Sequence, residues 1–201
     1  RPVIVGTGPC GLFCGLLLAR AGVLSMPDYL TLLGQQISRY LKTPGRHVQS
    51  VTESSFDAWT KYYRQDENSP NSLVSYYTQG SLVGLALDLT IRTRTNNQKS
   101  LDTVMLALWE QFGRHWDKRG EGVSETAWER IACDATGLDL RADFQRWLRE
   151  PGVPELAPLL ATIGVEWQNR PPQSASDKGG SWVEQPKAGN AFLGARHTTD
   201  N

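Results

Sequence analysis

The residues whose types and spacing could do chemistry are few and lie far apart. Gly6, Gly8 and Gly11 make a G-x-G-x-x-G turn within "PVIVGTGPCGLFCGLLLARAG", after a short apolar run and before a stretch that reads as an apolar helix. Such a turn lets backbone approach a pyrophosphate, whose charge the helix N-terminus stabilises. A working dinucleotide site also needs a second strand ending in an acidic residue about 20 residues further on. The residues after Gly22, "VLSMPDYLTLL", hold a helix cap and a proline instead, and Asp28 falls in a helix's first turn. Gly15 would suit close packing of that helix against a strand, and the alternative is a glycine-rich turn packed on a helix. The three histidines, His47, His115 and His197, share no metal-ligand spacing, and no HExxH occurs. Each reads as a surface or packing residue. Cys10 and Cys14, four apart, read as small apolar packing residues. With Cys133 they make an odd number without CxxC spacing, which argues against a disulfide framework or a structural zinc site.

Helices must position whatever chemistry there is. Ser25 and Asp28 form an S-x-x-D cap with Pro27 in the first turn, which predicts a helix from about Pro27 to Leu41. Tyr29, Leu33, Ile37 and Tyr40 share one face of it. "TPGR" stops it, and Val48 to Tyr63 is mixed and aromatic. "RQDENSPNS" is a polar loop. A further helix is predicted from near Ser72 to about Arg92, with Val74, Tyr77, Leu82, Leu85 and Leu89 on or near one stripe. Leu87 and Ile91 widen that stripe, so this helix should be buried on most sides. Ser100 caps a helix to about Phe112, closed by Gly113. Ser124 caps another, closed by Gly137. Asp139 caps one carrying Phe144 and Trp147, stopped by Pro151, and a short helix covers Glu155 to Ile163. From Gly164 the chain is rich in Pro, Gly and Ser and reads as loop.

The 201 residues carry zero net charge, 39% hydrophobic and 21% charged side chains, so a buried core is expected and disorder is not. No electrostatic footprint argues for nucleic acid or an anionic membrane. Leu12 to Ala19 is too short an apolar stretch to span a bilayer. Seven tryptophans are many for this length, and most read as core anchors. The first residue is Arg, which reads as a processed chain or a piece of a longer one.

The opening 22 residues resemble the head of FAD-dependent oxidoreductases. The middle resembles another family. "LLLARAGVLSMPDYLTLL", the run from "TPGRHVQSVTESSFDAWTKYYRQDENSPNS" to "LVSYYTQGSLVGLALDLTIR", and "SLDTVMLALWEQFG" are similar to the glycyl aminopeptidase family of zinc metallopeptidases, from about Leu16 to Asn201. The tail "GNAFLGARHTTDN" resembles the join at which that family's PDZ domain begins. The resemblance implies a gluzincin-type enzyme in which a helical subdomain follows the zinc site and closes one side of the cleft. It implies an HExxH helix and a Glu ligand upstream. Laid without gaps over "GTGPCGLFCGLLLARAG", the Glu position falls on Thr7, a poor zinc ligand. "LLLARAG" suits both resemblances, so the chain looks like a fusion of an oxidoreductase-like head and a peptidase-like body.

The resemblance also implies a tyrosine that stabilises the oxyanion of the tetrahedral intermediate, set in a Y-x-K-G pattern. Here "YTQG" places Tyr77, with Gln79 in the Lys position and Gly80 behind it. A phenol O–H can donate to negative charge developing in a water-poor cleft. The alternative is a half-buried aromatic on an apolar stripe. Tyr76 is the neighbouring candidate, about 100° round the helix. Asp66, Glu67, Asn68 and Asn71 could border the cleft and hold a substrate's ammonium group, or form only a solvated loop and cap.

The expectation is a mainly α chain: a helical metallopeptidase subdomain over 23–165, preceded by a glycine-rich strand-turn-helix over 1–22. A linker and the start of a truncated PDZ domain follow over 166–201. As function the sequence points to a fragment of a zinc aminopeptidase favouring small N-terminal residues such as Gly or Ala, inactive alone for want of zinc ligands. The alternatives are an FAD- or NAD-binding segment through Gly6, Gly8 and Gly11, and a non-catalytic helical interaction module. The expected partners are a peptide substrate in the intact parent and further copies of the chain through an exposed core face. No nucleic acid or membrane partner is expected, and the compartment is not indicated.

Overall fold

The structure is a computed structural model, which describes residues 19–182 apart from 115, 121, 153 and 175. The expected strand-turn-helix head, the Thr7 position, Cys10, Cys14 and the PDZ-like join lie outside the described residues, as do His115 and His197. The protein is mainly helical, and no strand occurs among the described residues. None of its described helices is long and apolar enough to cross a membrane. Two units can be described separately, residues 1–42 with 168–201, and residues 43–167.

The first unit is built on α1 (Met26–Leu41). Ser25 Oγ accepts the Asp28 N–H at 3.3 Å, and Pro27 lies in the first turn, as the sequence requires. Leu33, Ile37 and Tyr40 are buried, and Gln36 is buried beside them. Residues 168–182 lie against this helix at glycine distance: a Cβ on Gly34 would come within 2.7 Å of the Gly180 Cα. Lys42 Nζ donates to the Asp177 carbonyl at 2.7 Å. The stretch is folded on itself by Arg170, whose guanidinium grips both carboxylate oxygens of Asp177 at 2.5 and 3.2 Å.

The second unit runs through α2 (Val51–Phe56), α3 (Ser69–Ser72), α4 (Tyr76–Arg94), α5 (Leu101–Leu108), α6 (Trp116–Arg119), α7 (Glu125–Thr136), α8 (Arg141–Arg149) and α9 (Leu156–Ala161). Two single π-helical turns, Ala58–Tyr62 and Trp109–Gly113, follow α2 and α5. Helix α4 lies at the centre and packs against α2, α5 and α9, while α7 packs on α5 and α8, and α8 on α2. Its Leu82, Val83, Ala86, Leu87, Leu89 and Ile91 are buried, with Val104, Ile131, Leu140, Phe144, Leu156 and Leu160 from the helices round it. A helix enclosed on several sides needs apolar residues all round, as expected from its widened stripe.

Helix ends follow side-chain chemistry. Ser50 and Glu53 form a reciprocal capping box on α2. Gly137 ends α7 at φ 73°, and Lys99 Nζ donates to the Ala135 and Thr136 carbonyls at 3.0 Å each. Gly45 lies so close to the Leu73 backbone that a Cβ would overlap it.

Three expectations need correction. Helix α4 starts at Tyr76 rather than near Ser72: Leu73 is extended, and the Val74 N–H is taken by Gln49 Oε1 at 3.1 Å. The extended backbone at Leu73 separates the two segments, so Ser75 becomes the cap. Helix α8 is capped at Leu140, although the Asp139 carboxylate still accepts the Arg141 N–H at 3.2 Å. The tryptophans are mostly not core. Trp147 is buried at 4%, whereas Trp59, Trp109, Trp116 and Trp182 are at least half exposed. Trp59 and Trp109 stand in the two π-turns, where the extra residue per turn rotates side chains off the core-facing stripe.

Candidate functional site

The most distinctive cluster is built from two short pieces of chain. The π-turn Ala58–Tyr62 brings Trp59, Tyr62 and Tyr63 to the start of α4, where Tyr76 and Tyr77 occupy the first turn. Ser75 ties the pieces together: its Oγ accepts the Thr78 N–H and lies 3.2 Å from the Tyr62 hydroxyl, which donates to it. The rings form a chain of contacts: Trp59 to Tyr63 at 5.3 Å, Tyr63 to Tyr62 at 5.4 Å, Tyr62 to Tyr76 at 5.5 Å and Tyr76 to Tyr77 at 4.2 Å. Most of these are tilted or edge-on, as ring quadrupoles prefer.

Three hydroxyls converge. The Tyr63 oxygen lies 2.9 Å from that of Tyr76 and 3.2 Å from that of Tyr77. Tyr76 is held well above the usual phenol range, first by its hydrogen bond to Tyr63, then by one to Tyr77 and by burial. In Tyr63 the bond to Tyr76 pulls down, but the bond to Tyr77 and burial outweigh it, and the net shift is upward. Tyr63 and Tyr76 therefore stay neutral at neutral pH. Tyr63 and Tyr77 are 50% and 42% exposed, so Tyr77 is not the stripe residue that helical periodicity suggested.

Gln79 and Gly80 complete the "YTQG" pattern differently. Gln79 is fully buried on the core side, where its Nε2 donates to the Gly152 carbonyl at 2.7 Å. It anchors the turn after α8 and takes no part in the tyrosine cluster. Gly80 has nothing within 4 Å of a Cβ position, so packing among the described residues does not impose it.

The polar loop that could hold an ammonium group is mostly occupied with itself. Asp66 accepts the Asn68 N–H at 3.0 Å and the Ser69 hydroxyl at 2.9 Å, and the Ser69 bond chiefly holds its carboxyl below the usual range. Asn71 donates to Asn68 Oδ1 at 3.3 Å. Asp66 does line a groove of about 450 Å³, together with Glu53, Asp57, Lys61 and Arg64. Two of those acids are already engaged, Glu53 in its capping box and Asp57 with Lys61 at 2.6 Å.

Among the described residues no three His, Cys, Asp or Glu side chains come together as a metal site. His47 is exposed on the 3₁₀ turn Pro44–His47, and Cys133 is a free thiol on α7. The described residues therefore do not fit a zinc centre. The glycines proposed for dinucleotide binding, Gly6, Gly8 and Gly11, lie outside the described residues.

The sequence model of the M61 glycyl aminopeptidases matches residues 8–83, a span that includes Gly8 and Gly11 as well as all five aromatics of the cluster. The structure is similar to that of an aminopeptidase N family protein from Idiomarina loihiensis, with a TM-score of 0.80 and 37% identity over 90% of this chain. The chain spans 30% of that protein's length. No curated protein matches it significantly.

Proposed function

We propose that this chain is the helical part of a zinc-dependent aminopeptidase, and that Tyr77 donates its phenol proton to the oxyanion formed when an N-terminal peptide bond is attacked. The observation that carries the reading is the tyrosine cluster. Five aromatic side chains are brought together, and the hydroxyls of three of them, Tyr63, Tyr76 and Tyr77, lie within hydrogen-bond distance of one another. The span that the M61 glycyl aminopeptidase model matches contains all of them. A neutral phenol with a raised ionisation range around it is a donor throughout the pH range in which peptidases work. Removing one donor of this kind costs a reaction about 10²–10³ in kcat. The metal of such an enzyme would polarise the scissile carbonyl and activate water. It would be held by residues other than those described, and glycine or alanine would be favoured at the substrate's N-terminus. A PDZ domain beginning near residue 189, and a separately derived dinucleotide-like head, stand as parts of the same proposal.

The test begins with the genomic reading frame that precedes Leu16. It should encode an HExxH helix. The longer product should hydrolyse glycyl and alanyl p-nitroanilides, and Tyr77→Phe should lower kcat by about 10²–10³ with KM little changed. Absence of HExxH, or an unchanged kcat in the variant, overturns the reading. So does metal-dependent turnover by the 201-residue chain alone.

A further inference from the structure

The π-turn Ala58–Tyr62 sets Trp59 at the open end of the ring chain, where its side chain is 80% exposed. Among the described residues it meets one ring, that of Tyr63, at 5.3 Å and 41°, and its indole N–H makes no hydrogen bond. Tyr63 is held in turn. Tyr62 packs edge-on against it at 84°, and its hydroxyl bonds those of Tyr76 and Tyr77. The indole is therefore positioned but uncovered among the described residues. Such a face suits a binding contact, because an aromatic ring offers a large apolar area and a side chain already ordered loses little freedom when a ligand arrives. The second π-turn makes the contrast. Its Trp109 lines an apolar groove with Met105, Leu108, Phe112 and Trp116, and no phenol borders that groove.

We propose that Trp59, backed by the ring of Tyr63, is a specificity subsite for the leaving part of the peptide, taking an apolar or aromatic side chain at its second or third residue. This rests on the reading of Tyr77 as the oxyanion donor, and it names the part of the substrate that the site reads. One side chain spans the two places. The Tyr63 hydroxyl lies 3.2 Å from the Tyr77 oxygen, and the Tyr63 ring lies 5.3 Å from the indole. An extended peptide advances about 3.3–3.6 Å per residue. A carbonyl held at Tyr77 therefore leaves the indole within reach of a side chain one or two residues along. In an aminopeptidase a single residue precedes the scissile bond, and a glycine or alanine there has no side chain that could cross Tyr63. The side chain on the indole then lies beyond the scissile bond. The groove beside the π-turn does not compete for it. That groove is lined by Glu53, Asp57, Lys61, Arg64 and Asp66, and an apolar group set against them would strip water from charge.

The longer catalytic product is assayed on Gly-Gly-Gly, Gly-Phe-Gly and Gly-Gly-Phe. The better of the two Phe peptides should exceed Gly-Gly-Gly about tenfold in kcat/KM. Trp59→Ala should abolish that preference, and Trp59→Phe, which keeps a ring, should retain part of it. Tyr77→Phe should lower all three peptides together and leave the preference intact. The exposed position of Trp59 lets its variants fold, which urea unfolding checks. No preference at either position, or one that Trp59→Ala leaves intact, overturns the proposal. If that happens alongside a large loss in Tyr77→Phe, the subsite falls and the oxyanion reading stands. A preference lost in Trp59→Ala with undiminished turnover in Tyr77→Phe removes the oxyanion reading and keeps the indole as a substrate contact. Acrylamide quenching, read as the difference between wild type and Trp59→Phe, should find the indole as open in the longer product as in the 201-residue chain. A shielded indole shows that another part of the polypeptide covers it, and overturns the proposal. If the longer product turns nothing over, the oxyanion reading has failed, and the 201-residue chain decides the subsite. The Trp59 indole N–H signal, assigned by its absence in Trp59→Phe, should then shift in NMR spectra with millimolar Gly-Gly-Phe or Gly-Phe-Gly and not with Gly-Gly-Gly. Equal shifts, or none, overturn it.

Discussion

The interior of α4 and its first turn obey different rules. From Leu82 to Ile91 the helix buries six apolar side chains, each no more than 6% exposed, and it packs against α2, α5 and α9. In the first turn, two adjacent tyrosines lie partly in solvent and bond to a third from a separate turn. The interior is what folding needs, since every apolar group there leaves water. The first turn is not. Three phenols that could each have been hydrated have been ordered against one another at an entropic cost. Order that folding does not require is order available for chemistry.

Three measurements would break or sharpen that contrast. The largest effect belongs to the interior. Leu87→Ala, at 1% exposure, should cost about 2–5 kcal/mol in urea unfolding. A loss below about 1 kcal/mol would show that α4 is not the centre of the core. A smaller effect is expected in the other unit, from the ion pair between Arg170 and Asp177. The Arg170 guanidinium, helped by the Gln173 and Gly179 N–H groups, holds the Asp177 carboxyl well below the usual carboxylate range. A carboxyl depressed in the folded state contributes stability that is full above its unfolded value of about 4 and is lost as pH falls through the folded one. Stability should therefore decline from pH 4 downward, and Asp177→Asn should lose stability at neutral pH and flatten that decline. An equally steep acid limb in the variant would place the responsible group elsewhere. The smallest effect belongs to the first turn: Tyr77→Phe should change unfolding stability by no more than about 0.5 kcal/mol. A loss of 2 kcal/mol would make the cluster a structural clasp and dissolve the contrast.

Much of the fold was legible from local chemistry. Ser25 and Pro27 mark the start of α1, Gly137 the end of α7, and Pro151 the limit of α8 because proline removes the donor a helix needs. The Ser50–Glu53 box was equally readable as S-x-x-E, yet it lies in a stretch whose aromatics obscured any period. The start of α4 was not readable. Ser72 and Ser75 are both acceptable caps, and the choice is made by Gln49 and Ser54, which bond the Val74 N–H and carbonyl from more than 19 residues away. Trp59 and Trp109 were misplaced for a related reason. A π-turn depends on how a segment closes against its neighbours, and composition does not reveal it.

The sequence by itself determined the longer helices to within a few residues and which of them would be buried on most sides. Caps, glycines and apolar spacing act within a few residues, so a linear reading contains them. Only the tertiary structure decided that Tyr63 meets Tyr76 and Tyr77, that Gln79 faces the core, and that Asp66 is spent on its own turn. Those outcomes depend on two segments separated by a polar loop closing onto each other, and the free energy of that closure lies in contacts that neither segment can make alone.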